Sequence, residues 1–155
     1  MAGVLYHKTV CVYAKEEPPS RSQQQQHHKR IMIVDDERLI TIAFKRGLEA
    51  EGFQVDAFND PEEALSQFRS GNNNNYYYDL IILDIRMPNI DDGFQLAREI
   101  WQADNEARIC FLTAYAIYEN EAKRVFPKVR DYCFIQKPIS IDELVSIIKQ
   151  RLSQR

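Results

Sequence analysis

The chain has 155 residues, 45% of them hydrophobic, and a formal net charge of −3. That length suits one domain with a full core, and the charge offers no general attraction to nucleic acid or to an anionic membrane. No apolar run approaches the roughly 18 residues of a membrane-spanning helix. His7 and Lys8 interrupt the mildly apolar stretch 4–13, so no signal peptide is expected and the expected location is cytoplasmic.

Residues 1–29 hold Pro18–Pro19, the run Gln23–Gln26 and His7, His27 and His28. Such a stretch buries too little apolar surface to offset its ordering entropy and is expected to be a flexible extension. Adjacent histidines in a polar tail are more often solvated than metal-bound, and His27–His28 is read that way.

From Arg30 the chain alternates. "RIMIV" (30–34) is short, apolar and β-branched, a buried strand. Residues 38–51 place Leu39, Ile40, Ala43, Phe44, Gly47 and Leu48 on one helical face. "FQVDAF" (53–58) is a second strand. Asp60 is the expected N-cap of a helix with Pro61 in its first turn, Ala64, Leu65 and Phe68 as its stripe and Gly71 as its end. Asn72–Asn75 and Tyr76–Tyr78 read as a lengthened surface loop.

"DLIILD" (79–84) is a third strand; Leu96, Ala97, Ile100 and Trp101 form the next helical stripe. "RICFL" (108–112) is a fourth strand, 117–126 a weakly amphipathic segment and "YCFIQ" (132–136) a fifth strand. Ser140 and Glu143 have the spacing of a capping box, opening a helix with Ile141, Leu144, Val145, Ile148 and Leu152 on one side. Cys110 and Cys133 lie inside apolar runs and, with Cys11 a third and distant cysteine, are expected to be small core residues in a reducing compartment.

Five strands alternating with five helices imply an α/β fold, a parallel sheet covered on both faces. Ligands of such sheets bind at the carboxyl ends of the strands. Strand one ends in Asp35–Asp36, strand three in Asp84, strand four in Thr113, and strand five in Lys137–Pro138. Three carboxylates crowded together repel one another, and a divalent cation relieves them. Oxygen donors without His or Cys favour Mg²⁺, or Mn²⁺, over softer metals. A lysine and a hydroxyl opposite such an ion suit a phosphoryl group, and an aspartate can accept one as an acyl phosphate. Each residue has a plainer reading: Asp36 as an N-cap, Thr113 as a turn residue, Lys137 as a solvated strand end. Their joint occurrence at successive strand ends favours the functional one.

Residues 30–152 resemble the receiver domain of two-component response regulators, on "IVDDE" (33–37), "LIILDIRMP" (80–88), "FLTA" (111–114) and "FIQKPI" (134–139). The resemblance implies a flavodoxin-like doubly wound sheet, strand order 2-1-3-4-5. It implies Asp84 as phosphoacceptor, Asp36 as a direct Mg²⁺ ligand, Asp35 as one through water, and Asp84 with the Arg86 carbonyl completing the protein's share. It implies that Lys137 pairs with Asp84 and then with the phosphoryl group, that Thr113 is the switch hydroxyl, that Ala114 lends a backbone N–H to a phosphoryl oxygen, and that Phe134 is the switch aromatic. The Lys137–Pro138 peptide would be cis. The implied donor is a sensor histidine kinase, a phosphotransfer protein or a small phosphodonor. The implied output is a changed surface on the fourth helix, fifth strand and fifth helix, read by an unnamed downstream protein or used in a homodimer.

In "NIDDG" (89–93) the loop is one residue longer than the family's usual pattern. Asp91 and Asp92 there either cap the next helix or add charge near the phosphate. Arg86 and Tyr115 are expected to overhang the pocket, with Arg86 either touching the phosphoryl group or solvated. Only residues 153–155 follow the fifth helix and no basic stripe is present, so a stand-alone receiver is expected, without turnover of a substrate. Two rivals are a receiver that binds partners without phosphorylation and an aspartate-nucleophile phosphatase. The second would need an acid where Arg86 stands.

Overall fold

The computed structural model describes residues 28–73, 77–87, 92–114, 118–126 and 132–154. Its elements alternate: β1 (Arg30–Val34), α1 (Arg38–Ala50), β2 (Gln54–Phe58), α2 (Pro61–Asn73), β3 (Leu80–Asp84), α3 (Asp92–Ala103), β4 (Ile109–Thr113), α4 (Tyr118–Val125), β5 (Tyr132–Gln136) and α5 (Ile141–Ser153). The strands are parallel, in the order β2-β1-β3-β4-β5. This is the flavodoxin-like fold expected above.

The period-two alternation of the inner strands sorts their side chains onto two faces. Met32, Val34, Ile81, Leu83 and Phe111 meet Phe68 of α2 and Phe94, Ala97 and Ile100 of α3 on one face. On the other, Ile31, Ile33, Leu80 and Ile82 meet Phe44 and Leu48 of α1 and Leu144 and Ile148 of α5. Every residue of β3 and β4 is buried, as expected of strands covered on both sides.

Caps follow the residues that signalled them. Asp60 Oδ1 accepts from the amides of Glu62 (2.8 Å) and Glu63 (3.0 Å). Ser140 Oγ accepts from Glu143 N (3.3 Å) while Glu143 Oε2 accepts from Ser140 N (3.0 Å), a full capping box. Burial of α5 follows the expected stripe through Leu144, Val145 and Ile148, with Ile141 and Leu152 half-buried.

Several expectations are corrected. The inner face of α1 is Thr41, Phe44 and Leu48, whereas Leu39 is 82% exposed and Ala43 is exposed. The apolar residues of this helix cover more than half a turn, so periodicity alone did not choose the face. Gly71 does not end α2, which runs on to Asn73; a buried glycine inside a helix costs only about 1 kcal/mol against alanine. Asn72 and Asn73 are therefore helical, and residues 74–76 lie outside the described part.

Cys110 and Cys133 are joined in a disulfide, not held as separate thiols. Parallel pairing of β4 with β5 sets them directly opposite, with their Cα atoms 4.5 Å apart, a separation a disulfide spans. That pairing was not readable from spacing along the chain. Residues 1–27 lie outside the described part, and with them His27. His28 Nδ1 hydrogen-bonds the Gly52 carbonyl oxygen (3.0 Å), and Lys29 pairs with Asp79 (2.7 Å). No helix among the described residues is long and apolar enough to cross a membrane.

Candidate functional site

The carboxyl ends of β1, β3, β4 and β5 open into a pocket of about 350 Å³ lined by Asp36, Glu37, Asp84, Arg86, Thr113, Ala114 and Lys137. Parallel pairing produces this convergence: β1 and β5 flank the central β3 and β4, so residues far apart in sequence finish on one edge. Asp84 is the last residue of β3, and Thr113 is the last of β4. Asp35 directly follows β1, and its N–H donates to the Phe58 carbonyl (3.2 Å). Lys137 follows Gln136, and its N–H donates to the Thr113 carbonyl (2.8 Å).

Asp35, Asp84 and Thr113 are buried, Lys137 is half-buried, and Asp36, Arg86 and Ala114 are exposed. Lys137 Nζ donates to Asp35 Oδ2 and to Asp84 Oδ2, both at 2.8 Å. Asp35 Oδ1 accepts from Glu37 N (2.9 Å), and Asp84 Oδ1 accepts from Arg86 N (3.2 Å). Burial lifts the Asp35 carboxyl above the ordinary carboxylate range, against the pull of Lys137 and the Glu37 amide. Burial also acts to lower the Lys137 ammonium, but its bonds to Asp35 and Asp84 outweigh it and the net shift is upward. The ammonium is therefore held firmly charged while one of its carboxylate partners is held reluctantly so.

One carboxylate oxygen from each of Asp35, Asp36 and Asp84 can be chosen so that all three lie within 4.8 Å of one another. The donors are hard oxygens, two of the three carboxylates are buried, and one ammonium bridges those two. This donor set fits a small divalent cation such as Mg²⁺ better than any softer metal.

Backbone packing behind Asp84 is tight. Gly93 N donates to the Ile85 carbonyl (3.0 Å), and a Cβ on Gly93 would lie 2.1 Å from the Asp84 carbonyl oxygen. A glycine is needed there for α3 to abut the end of β3. Asp92 is the first residue of α3; Asp91 lies outside the described residues, as does Tyr115.

Of the residues singled out from sequence, Asp36, Asp84, Arg86, Thr113, Ala114 and Lys137 line one pocket, and Asp35 stands behind it on Lys137. Phe134 does not line it. Its half-buried ring stacks on Phe111 (5.4 Å) on the face covered by α2 and α3. The Lys137–Pro138 peptide is cis. Sequence reasoning missed Glu37, Thr41, Asn59 and Gly93. Asn59 follows β2 on the same edge, so its place at a strand end is the signal that points to it.

The family model for the response regulator receiver domain matches residues 31–149. The chain belongs to that family. It is 33% identical over 118 residues to the transcriptional regulatory protein PcoR of Escherichia coli, covering 76% of this chain and 49% of that protein. It is 32% identical over 120 residues to the sensor protein EvgS of Escherichia coli O157:H7, covering 77% of this chain and 9% of that protein. The chain thus spans about half the length of the first regulators it matches, and far less of the sensor.

Among solved structures, a receiver domain protein described as CheY-like from Methanospirillum hungatei superposes with a TM-score of 0.69 at 28% identity, covering 82% of this chain and 95% of that one. The response regulator TrrA from Thermotoga maritima, solved in complex with Mg²⁺ and BeF, gives 0.65 at 37% identity, covering 79% and 98%. Phosphorylation and Mg²⁺ binding are typical of this family of two-component signalling domains.

Proposed function

We propose that this receiver domain accepts a phosphoryl group on Asp84, from a phosphohistidine of a sensor kinase or phosphotransfer protein, and relays the change through its surface. The observation that carries this reading is the Lys137 ammonium bonded to both Asp35 and Asp84 at 2.8 Å beside the exposed Asp36. In this reading Asp35, Asp36, Asp84 and the Arg86 carbonyl would hold Mg²⁺. When bound, Mg²⁺ neutralises charge on the transferred oxygens.

The chain's own groups do the rest. The Asp84 carboxylate attacks phosphorus in line, the bond to the donor's nitrogen breaks, and an acyl phosphate forms. Lys137 moves from the lost carboxylate charge to a phosphoryl oxygen. The Thr113 hydroxyl and the Ala114 N–H turn toward the others. Movement of Thr113 opens space for the Phe134 ring, which couples the pocket to the surface of α4, β5 and α5. A partner protein, or a second copy of the chain, reads that surface, with a coupling of about 1–3 kcal/mol. No turnover of a separate substrate is involved. A cytoplasmic location belongs to the same reading, and residues 1–27 are assigned no part in the transfer.

The test is incubation with Mg²⁺ and a small acyl phosphate, followed by intact mass. A single phosphate adduct that disappears in Asp84→Asn, and when Mg²⁺ is chelated, is expected. The absence of any adduct on the native chain would favour a module that binds partners without phosphorylation. Steady release of phosphate from unrelated esters would favour a phosphatase.

A further inference from the structure

The first helix buries Thr41, 2% exposed, and leaves Leu39 82% exposed. An apolar core prefers the opposite exchange, since burying a leucine is favourable and burying a hydroxyl without partners is costly. Thr41 has partners. Its hydroxyl donates to the Arg38 carbonyl (2.9 Å) and accepts from Asn59 Nδ2 (2.9 Å). The same Nδ2 donates its second hydrogen to the Asp35 carbonyl (2.7 Å). The Asp35 carbonyl can only accept, so the amide nitrogen of Asn59 must face it. Donors and acceptors therefore balance along a chain from α1, through the end of β2, to the residue after β1.

Asp35 is held on four sides. Its N–H is fixed by Phe58, its carbonyl by Asn59, and its carboxylate by Glu37 N and Lys137 Nζ. We infer that Asn59 and Thr41 are positioning residues: they clamp the Asp35 peptide and so set the direction in which its carboxylate enters the pocket. Neither lines the pocket, so they act through Asp35. Two other carboxylates face that of Asp35, so its direction depends on how firmly its backbone is pinned. The inference deepens the Mg²⁺ and phosphoryl reading and rests on it for its purpose, though the clamp itself is a property of the metal-free chain.

Thr41→Val removes the hydroxyl and keeps the shape, Thr41→Ser keeps the hydroxyl, and Asn59→Ala removes the amide. In metal-free protein, the amide hydrogens of Asp35 and Glu37 are expected to exchange faster in Thr41→Val and Asn59→Ala, with those of the β3 strand unchanged. Titration with MgCl₂ alone is expected to show a Kd raised about tenfold in both, the range for loss of an outer-shell partner, and near the native value in Thr41→Ser. Native exchange and native Kd in folded Thr41→Val would overturn the clamp. So would equal loss in Thr41→Ser and Thr41→Val, which would mark a packing effect. Native protein that fails to bind Mg²⁺ while Thr41→Val still speeds exchange would contradict the phosphoryl reading and leave the clamp standing.

Discussion

The two edges of the sheet both carry aspartates beside cations, and they differ in how the charges are matched. At the amino edge Arg30 Nε donates to Asp56 in the middle of β2 (3.0 Å), the Tyr78 hydroxyl donates to the same carboxylate (2.8 Å), and Asp79 accepts from Lys29 Nζ (2.7 Å) and Arg30 N (2.8 Å). The Arg30 guanidinium also lies 5.1 Å from the Tyr78 ring centre. Each acid there has its own cation. At the carboxyl edge three acids crowd together and one ammonium is shared between two of them. The first arrangement closes the fold. Among the described residues the second sets three carboxylates about one bridging ammonium, an excess of negative charge that suits a bound cation.

Removing the shared ammonium should break that contrast most severely. Lys137→Ala leaves Asp35 and Asp84 buried without their partner, and a cost of about 3–5 kcal/mol is expected in Mg²⁺-free urea unfolding, with partial recovery on adding Mg²⁺. A stability equal to the native chain would mean the bridge contributes nothing. A control lies between the edges. Cys133→Ala opens a disulfide spanning 23 residues, which is expected to cost about 3 kcal/mol by loop entropy, equally with and without Mg²⁺. A thiol titration should find Cys110 and Cys133 unreactive in the oxidised native protein; labelling of either would contradict the pairing.

Smaller and opposite effects are expected from one neutralised aspartate at each edge. Burial raises the Asp35 carboxyl above its unfolded value. A group so shifted favours folding only below its unfolded value, and that stability is lost as pH rises through the folded one. Ionised Asp35 therefore costs stability at neutral pH, and Asp35→Asn should stabilise the Mg²⁺-free protein at pH 7, with the gain vanishing in acid. Asp56→Asn should instead destabilise by about 1 kcal/mol, through its weakened bonds to Arg30 and Tyr78. If both variants shifted stability in the same direction, the two edges would not differ as described. The least change is expected at Tyr78. Burial, then the bond to Asp56, raises its hydroxyl, so its ionisation should lie above the ordinary tyrosine range in a spectrophotometric titration.

Most of the carboxyl edge was legible in the sequence because an apolar strand stopping at a charge is a one-dimensional signal. Asp84 after "LIIL" and Lys137 after "CFIQ" needed only the rule that parallel strands end together. The amino edge was not legible. Arg30, Asp56 and Tyr78 lie on three different segments, and their contact depends on register. The same holds for the Cys110–Cys133 bond and for the Asn59–Asp35 bond. The rotation of α1 was misjudged because Leu39, Ile40 and Ala43 outweighed Thr41 in any hydrophobic pattern, while what placed Thr41 inside was a hydrogen-bond partner beyond the helix. Pattern reports where apolar surface goes, and it is silent on a polar group whose partner lies elsewhere in the chain.

The most direct measurement is to locate the phosphoryl group itself. After reaction with a small acyl phosphate and Mg²⁺, borohydride reduction converts an acyl phosphate to an alcohol, and peptide mass mapping finds the altered residue. The change should fall on Asp84 alone. A change on Asp35 or Asp36, or a borohydride-resistant phosphate on Thr113, would contradict the assignment of the β3 carboxylate as the acceptor.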